Sequence, residues 1–222
     1  MAGVSHLVYE FGDYNNFDYW TEFFAHRGYA VLQPNFRGSS GYGADFASAA
    51  IGGYGLEMQD DVIDGANWLV EEGIADKEKM CIVGASYGGY AALMATVKTP
   101  KVFKCAVSFA GFGDLIDLRS QYRKFVNRKI VQEQIGGENK SLRGRSPINM
   151  IGKIEAPILL LHGEDDRVVS VEQSRDMAKK LKAKKKKYKY IELKDGNHYL
   201  SKQDHRHALF REMDDFLAKY LQ

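Results

Sequence analysis

Short apolar segments alternate along the chain with longer segments in which apolar residues recur every three or four positions. This alternation is typical of parallel strands covered by helices on both faces. The apolar segments predict strands at residues 29–34, 80–84, 105–109, 156–163 and 188–193. The pattern therefore predicts an α/β fold with a mostly parallel sheet.

The helical periodicity predicts the remaining elements. Helices are expected at residues 17–26, 56–72, 87–97, 171–182 and 204–221. Residues 38–55, rich in Gly, Ser and Tyr, predict a loop, and residues 115–153 predict a mixed, mostly helical segment. Since no internal repeat or linker interrupts the pattern, we expect residues 1–222 to form one domain.

Composition and charge narrow the classes of partner. The 222 residues are 45% hydrophobic and 27% charged, which is typical of a folded globular domain. The formal net charge is only +2, and the lysine-rich stretch 179–189 fits a solvated helix end followed by a turn. We therefore expect no nucleic-acid partner and no membrane partner.

The cysteines and the termini bear on location. Cys81 and Cys105 lie in buried-strand patterns, which favours inert core thiols; the sequence leaves a disulfide open because it does not give their separation. No apolar stretch reaches the ~20 residues that span a bilayer, and the first residues lack a signal-peptide pattern. We expect a cytoplasmic protein.

The strongest chemical signal is the segment 84–88, Gly84-Ala85-Ser86-Tyr87-Gly88. It matches the G-x-S-x-G pattern, with an apolar strand before it and a helix rich in small residues after it. In that context the serine occupies a sharp strand-to-helix turn and becomes a nucleophile. We expect Ser86 to be catalytic and the Tyr87 N–H to be an oxyanion donor; the alternative is a Gly-rich turn with an unreactive serine.

A serine nucleophile needs a histidine base that a carboxylate orients, in the chain order serine, acid, histidine. His198 follows the strand predicted at 188–193, whereas His205 and His207 lie where the final helix begins. We expect His198 to be the base. Spacing alone leaves the acid open between Asp165 and Asp166.

Several segments together resemble the prolyl oligopeptidase family of serine peptidases, and most closely its acylaminoacyl-peptidase and dipeptidyl-peptidase-like members. The likeness rests on residues 28–43, 58–61, 84–90, 145–147, the turn at His162, and 172–174. The resemblance implies an α/β-hydrolase fold and hydrolysis of short peptides or acylated amino acids through an acyl-enzyme. It implies no cofactor and no metal, and the adjacent Asp60 and Asp61 are expected to cap their helix electrostatically.

The resemblance also bears on the acid. The family's catalytic Asp stands in H-G-x-x-D-x-x-V, and eight residues before the serine of a Gln-Ser pair. Both spacings select Asp166, with His162 before it and Ser174 after it. A variant with Arg two positions after the acid would instead favour Asp165, so Asp166 is our prediction.

The resemblance also suggests which residues contact substrate, and some features of the family are not recognisable in this sequence. Tyr90 and Phe112 are predicted to bind substrate, Phe112 in the pocket for the residue before the scissile bond, while Tyr42, Tyr54 and Tyr87 are further candidates. The family's His-Gly-Gly-Pro-like loop is not recognisable at residues 7–14, which leaves the second oxyanion donor unidentified. We recognise no β-propeller in the sequence, and because the likeness begins well into the family's hydrolase domain, we expect the N-terminus to be truncated.

Two other functions share this machinery or its fold. A domain with open access is also compatible with a small carboxylesterase, and a hydrolase fold without activity would serve as an interaction module. Self-association into a homo-oligomer is left open by the sequence.

Overall fold

A parallel sheet forms the centre of the computed structural model, which describes residues 19–124, 126 and 128–221. In the described part of the chain its order is β1 (Cys81–Ala85), β2 (Cys105–Phe109), β3 (Ile158–Gly163) and β4 (Tyr188–Leu193), all neighbours parallel. The predicted α/β architecture is confirmed. Because all strands run in one direction, their carboxyl ends meet at one edge, where ligands of open α/β sheets bind.

Helices connect and cover these strands. Their bounds are α1 (Trp20–His26), α2 (Ala44–Ser48), α3 (Glu57–Glu71), α4 (Tyr87–Lys98), α5 (Leu115–Gln121), α6 (Arg128–Ile135), α7 (Asn139–Gly144), α8 (Glu172–Ala183) and α9 (Gln203–Tyr220). Short 3₁₀ turns follow α5 and α7, at Tyr122–Lys124, Pro147–Asn149 and Ile151–Lys153. The segment 115–153 is therefore mostly helical, as predicted, and α2 lies within the predicted loop.

The sheet is buried on both faces by separate hydrophobic clusters. Ala106 of β2 packs into the cluster that α3, α4 and α8 cover, while the next residue, Val107, packs into the cluster that α1 and α9 cover. Successive strand residues point to opposite faces, so burial on both sides requires a continuous apolar run. That requirement explains why β1, β2 and β3 could be predicted from the sequence.

The strand predicted at 29–34 is wrong for the described structure. Residues 29–34 are partly buried, and Tyr29 and Val31 pack against the cluster of α1 and α9. A strand, however, is defined by its hydrogen-bonded partner, and among the described residues no backbone bond joins this segment to β1. The apolar pattern of residues 29–34 therefore indicates that they are partly buried, not that they pair with a neighbouring strand. The predicted start of the first helix, at residue 17, lies outside the described residues.

Cys81 and Cys105 form a disulfide, so the expectation of two separate thiols is wrong in this structure. The two residues are direct partners in the register of β1 and β2, with a Cα–Cα distance of 4.7 Å. This spacing lies within the range that a disulfide bridges. The sequence did not reveal it because register depends on how the strands pair.

None of the described helices combines the length and the apolar composition needed to cross a membrane.

Candidate active site

Ser86 lies between the end of β1 and the start of α4, in a backbone conformation with φ +53° and ψ −115°. A residue with a side chain rarely adopts positive φ, and such strain persists only where the surroundings hold it. Here the Ser86 N–H donates to the Phe109 carbonyl on β2 at 2.9 Å, which fixes the turn to the neighbouring strand. The side chain is partly exposed while its neighbours are buried.

Glycines make this turn possible. A Cβ at Gly84 would overlap the Gly88 carbonyl, and a Cβ at Gly89 would lie 2.8 Å from the Cα of Gly111. Both positions therefore require glycine. The helix can therefore start immediately after the serine and pack closely against the end of β2.

The loops that follow β3 and β4 are joined to each other. The Asp165 N–H donates to the Gly196 carbonyl at 2.8 Å, and the Glu164 N–H donates to the Leu193 carbonyl at 3.0 Å. A Cβ at Gly163 would overlap the same Gly196 carbonyl, so the close approach requires glycine there. The acid loop and the histidine loop thus form one unit at the carboxyl edge of the sheet.

Asp166 and His198 are paired across these loops. His198 Nδ1 lies 2.7 Å from Asp166 Oδ2, and Oδ1 accepts the N–H groups of Val168 at 2.8 Å and Val169 at 2.9 Å. Burial alone would raise the pKa of Asp166. Hydrogen bonds from His162, His198 and the Val169 backbone outweigh burial and hold that pKa well below its ordinary value. Asp166 is therefore a buried carboxylate, whereas the Asp165 residue is exposed.

Ser86 and His198 line the same cavity, which opens at the carboxyl edge of the sheet. With Nδ1 bonded to the carboxylate, His198 keeps Nε2 for a proton acceptor role. The described residues contain no hydrogen bond between the Ser86 hydroxyl and His198, and catalytic contacts of this kind often tighten only when substrate binds. His205 and His207 lie in α9, outside the cavity lining.

The sequence matches a known family over nearly its whole length. Residues 15–222 match the model of the prolyl oligopeptidase family. The chain belongs to this family.

Curated relatives in the prolyl oligopeptidase family are longer than this chain. Dipeptidyl aminopeptidase BIII of Pseudoxanthomonas mexicana is 32% identical over 220 residues, covering 96% of this chain and 31% of the relative. The acylamino-acid-releasing enzyme of Arabidopsis thaliana is 27% identical over 203 residues, covering 87% and 26%. The chain spans about a third or less of the length of these relatives.

Solved structures agree on the fold. A puromycin-hydrolysing peptidase of Mycobacterium tuberculosis superposes with a TM-score of 0.92 at 28% identity, covering 99% of this chain and 34% of that one. An acylaminoacyl peptidase of Pyrococcus horikoshii gives 0.86 at 28% identity, covering 99% and 37%. Both neighbours are peptidases, and they establish the α/β-hydrolase fold of this family member.

The cavity beside Ser86 has a volume of about 790 Å³ and is lined mainly by aromatic and aliphatic side chains. Phe112, Tyr54 and Tyr87 line it. Tyr90, which was predicted to bind substrate, is fully buried outside the lining, and its hydroxyl donates to the Arg145 carbonyl at 2.8 Å. Phe112 stacks on Tyr90 with ring centroids 4.9 Å apart, so Tyr90 supports the cavity wall from behind.

The remaining sequence candidates lie elsewhere or have other partners. The Tyr42 hydroxyl accepts a hydrogen bond from Asn35 at 2.9 Å, and Tyr42 is outside the cavity lining. Asp61 forms a two-point contact with Arg37, and Asp60 pairs with Lys98 at 2.7 Å. Residues 7–14, where the family's His-Gly-Gly-Pro-like loop is not recognisable, lie outside the described residues.

Sequence reasoning missed several polar side chains that support the site. His162, Arg145, Gln173 and Ser174 are all buried. The first three are hydrogen-bonded to loops around the cavity, and Ser174 is hydrogen-bonded to His162. Their positions were noted only as family markers or as part of a turn. The available signal was a polar residue inside an otherwise apolar segment, as with His162 at the end of β3.

Proposed function

We propose that this domain is a serine peptidase that hydrolyses short peptides or N-acylated amino acids through an acyl-enzyme. Ser86 is the nucleophile, His198 the general base and Asp166 the residue that orients His198. One observation carries the proposal: the Asp166–His198 pair and the strained Ser86 turn face a single cavity. Membership of the prolyl oligopeptidase family supports the same assignment.

The chemistry proceeds in two halves. The Ser86 Oγ attacks the substrate carbonyl carbon while His198 Nε2 takes the hydroxyl proton, and the carbonyl oxygen becomes negatively charged. The tetrahedral intermediate collapses when His198 returns the proton to the leaving amine, which leaves an ester on Ser86. Water then attacks this ester by the same route, releasing the acid product, and no step needs a cofactor.

The Tyr87 N–H is the proposed oxyanion donor. Tyr87 is the first residue of α4, where backbone N–H groups lack a partner within the helix. The positive end of the helix dipole also favours the negative oxygen at this position.

The cavity lining favours an apolar side chain next to the scissile bond. Phe112, Tyr54, Leu118 and Val169 all contribute apolar surface beside Ser86. Apolar pockets of this size bury a hydrophobic side chain well. A lysine ammonium would lose hydration there without a carboxylate among the described lining residues to compensate it, whereas Arg206 is part of the lining. We expect N-acyl anilides of Phe or Leu to be cleaved faster than those of Lys, compared by kcat/KM.

Labelling with a fluorophosphonate probe tests the nucleophile. The wild-type chain should be labelled, and the Ser86→Ala variant should lose the label while its melting temperature stays near that of the wild type. Ser201→Ala, in the exposed turn after His198, is the matched control and should label normally. If the folded wild-type chain never reacts, the domain is an inactive interaction module and the proposed catalysis is wrong.

Comparison of amides with esters tests the peptidase assignment. We expect measurable kcat/KM on acyl-peptide anilides as well as on p-nitrophenyl esters, with puromycin as a further amide. Ester turnover without any amide cleavage would instead identify a carboxylesterase. Cytoplasmic location and the exclusion of nucleic-acid and membrane partners stay predictions.

A further inference from the structure

A second histidine, His162, lies against the Asp166 carboxylate from the side of the sheet. It is the penultimate residue of β3, and its side chain is completely buried. Its Nε2 atom lies 3.2 Å from Asp166 Oδ2, the same oxygen that His198 contacts. Two imidazoles therefore meet at one carboxylate oxygen, and the proposed triad uses only one of them.

The contacts of His162 define its tautomer. Nε2 lies 3.0 Å from the Val169 carbonyl, which only accepts hydrogen bonds, so Nε2 must carry the hydrogen. On a neutral ring Nδ1 is then the acceptor, and the Ser174 hydroxyl donates to it at 2.7 Å. The ring is thus held by α8 on one edge and by the acid loop on the other.

This arrangement fixes the acid loop at two points. The Nε2–H of His162 donates to the Val169 carbonyl, and the Nε2 atom lies 3.2 Å from Asp166 Oδ2, while the Val169 N–H returns to Asp166 Oδ1 at 2.9 Å. His162 itself is anchored in the sheet, because its strand pairs with both neighbours. The carboxylate therefore has little freedom to rotate away from His198.

We propose that His162, oriented by Ser174, is a positioning residue that holds the Asp166 carboxylate in the geometry that His198 requires. The proposal rests on the proposed function and extends it by two residues that do not touch substrate. A shift of about 1 Å in a catalytic group costs on the order of 10²-fold in rate, so loss of this support should appear in kcat.

The charged groups around His162 come from each element packed against it. Asp166 and His198 face it from the loops after β3 and β4, and Glu192 is its register partner on β4. Glu192 is held by Arg175 of α8, with Nε 2.9 Å from Oε2. Variants at His162 leave the Glu192–Arg175 pair in place, so changes in pH dependence report on Asp166 and His198.

The test compares His162→Asn with His162→Gln and Ser174→Ala, using an acyl-peptide anilide. His162→Asn removes the donor at the Nε2 position, and we expect kcat to fall about 10- to 100-fold with little change in KM. The acid limb of the kcat/KM profile should move to lower pH, because a displaced carboxylate stabilises the His198 imidazolium less well. His162→Gln, whose amide reaches towards the lost donor, should restore part of kcat.

Ser174→Ala keeps the imidazole and removes only the hydroxyl, so it should change kcat in the same direction by a smaller factor. It also serves as the test if His162→Asn does not fold. His207→Asn on the exposed face of α9 is the matched control and should leave kcat, the acid limb and the melting temperature unchanged.

The results of these experiments distinguish a failure of the His162 positioning role from a failure of the proposed peptidase function. If folded His162→Asn and Ser174→Ala lose melting temperature but keep the wild-type kcat and acid limb, the residues are only structural and the positioning role is wrong. An acid limb that moves to higher pH would show that His162 competes with His198 for Oδ2, which also overturns it. Failure of the wild type to react with fluorophosphonate would instead overturn the proposed function, and this inference with it.

Discussion

Asp166 accepts hydrogen bonds on both carboxylate oxygens, and this saturation distinguishes it from its neighbour Asp165. Oδ1 is held by two backbone N–H groups and Oδ2 by His198 at 2.7 Å. Burial alone would raise the pKa of Asp166, but hydrogen bonds from His162, His198 and the Val169 N–H lower it below its ordinary value, so the group is ionised at neutral pH. The Asp165 backbone N–H donates to the Gly196 carbonyl, and the residue itself is exposed to solvent.

Substitution of Asp166 should reduce kcat strongly, whereas substitution of Asp165 should change it little. Asp166→Asn removes the charge that stabilises the His198 imidazolium and disturbs its tautomer, so we expect kcat on an acyl-peptide anilide to fall by about 10⁴-fold. Asp165→Asn, the matched control, should stay within a few-fold of wild type. A larger loss from Asp165→Asn than from Asp166→Asn would assign the acid role to Asp165.

At the scale of elements, Arg145 joins two parts of the cavity wall. Its buried guanidinium donates to the carbonyls of Gly52 at 3.0 Å, Tyr54 at 2.8 Å and Gly136 at 3.2 Å. The Gly52 N–H in turn donates to the Gln134 carbonyl of α6 at 2.9 Å. The loop that carries Tyr54 and the end of α6 are therefore joined both by the Arg145 side chain and by a direct backbone hydrogen bond.

Replacement of Arg145 should loosen this wall more than it disturbs the chemistry. Lysine keeps the charge but lacks the planar fork that serves several carbonyls at once. We expect Arg145→Lys to raise KM for a Phe anilide by about tenfold, the equivalent of one lost charged hydrogen bond, with a smaller change in kcat. Arg143→Lys, on the exposed side of α7, is the control, and an equal rise in KM there would refute a specific role for Arg145.

The hydrophobic pattern predicts buried strands well, but it does not show which buried segments pair with a neighbouring strand. The strands β1, β2 and β3 were predicted because burial on both faces demands unbroken apolar runs, whereas the partly exposed β4 alternates apolar with polar residues. The segment 29–34 has a similar run, yet pairing depends on a partner that hydropathy does not describe. Tyr90 and Phe112 illustrate the same limit, because both are buried aromatics and only their placement separates the cavity lining from its support.

The sequence predicted the candidate catalytic residues of the site, but not most of the buried polar side chains that hold them in place. Ser86 and His198 could be selected because sequence order and loop position follow the fold, and the choice of Asp166 depended on family spacing. The roles proposed for them stay predictions. The contacts of His162 with Ser174 could not be predicted, because they depend on how α8 docks beside β3.

For the whole molecule, the Cys81–Cys105 disulfide ties the first two strands of the sheet at directly opposed positions. Both residues are fully buried. The bond closes a segment with a sequence separation of 24, which contains all of α4 and the Ser86 turn. A cross-link of this span lowers the entropy of the unfolded chain and stabilises the fold by roughly 3 kcal/mol.

The disulfide makes predictions about stability and about thiol chemistry. We expect the Cys81→Ala/Cys105→Ala double variant to melt roughly 6–12 °C below the wild type, as a loss of ~3 kcal/mol implies for a domain of this size.

Wild-type protein purified without reductant and then unfolded should show no reactive thiols, and two after reduction. Disulfides persist mainly in oxidising compartments, so this count also bears on the predicted cytoplasmic location. Two reactive thiols in the unfolded, unreduced protein would show that the cysteines are free and that β1 and β2 are held together by hydrogen bonds and packing without a covalent link.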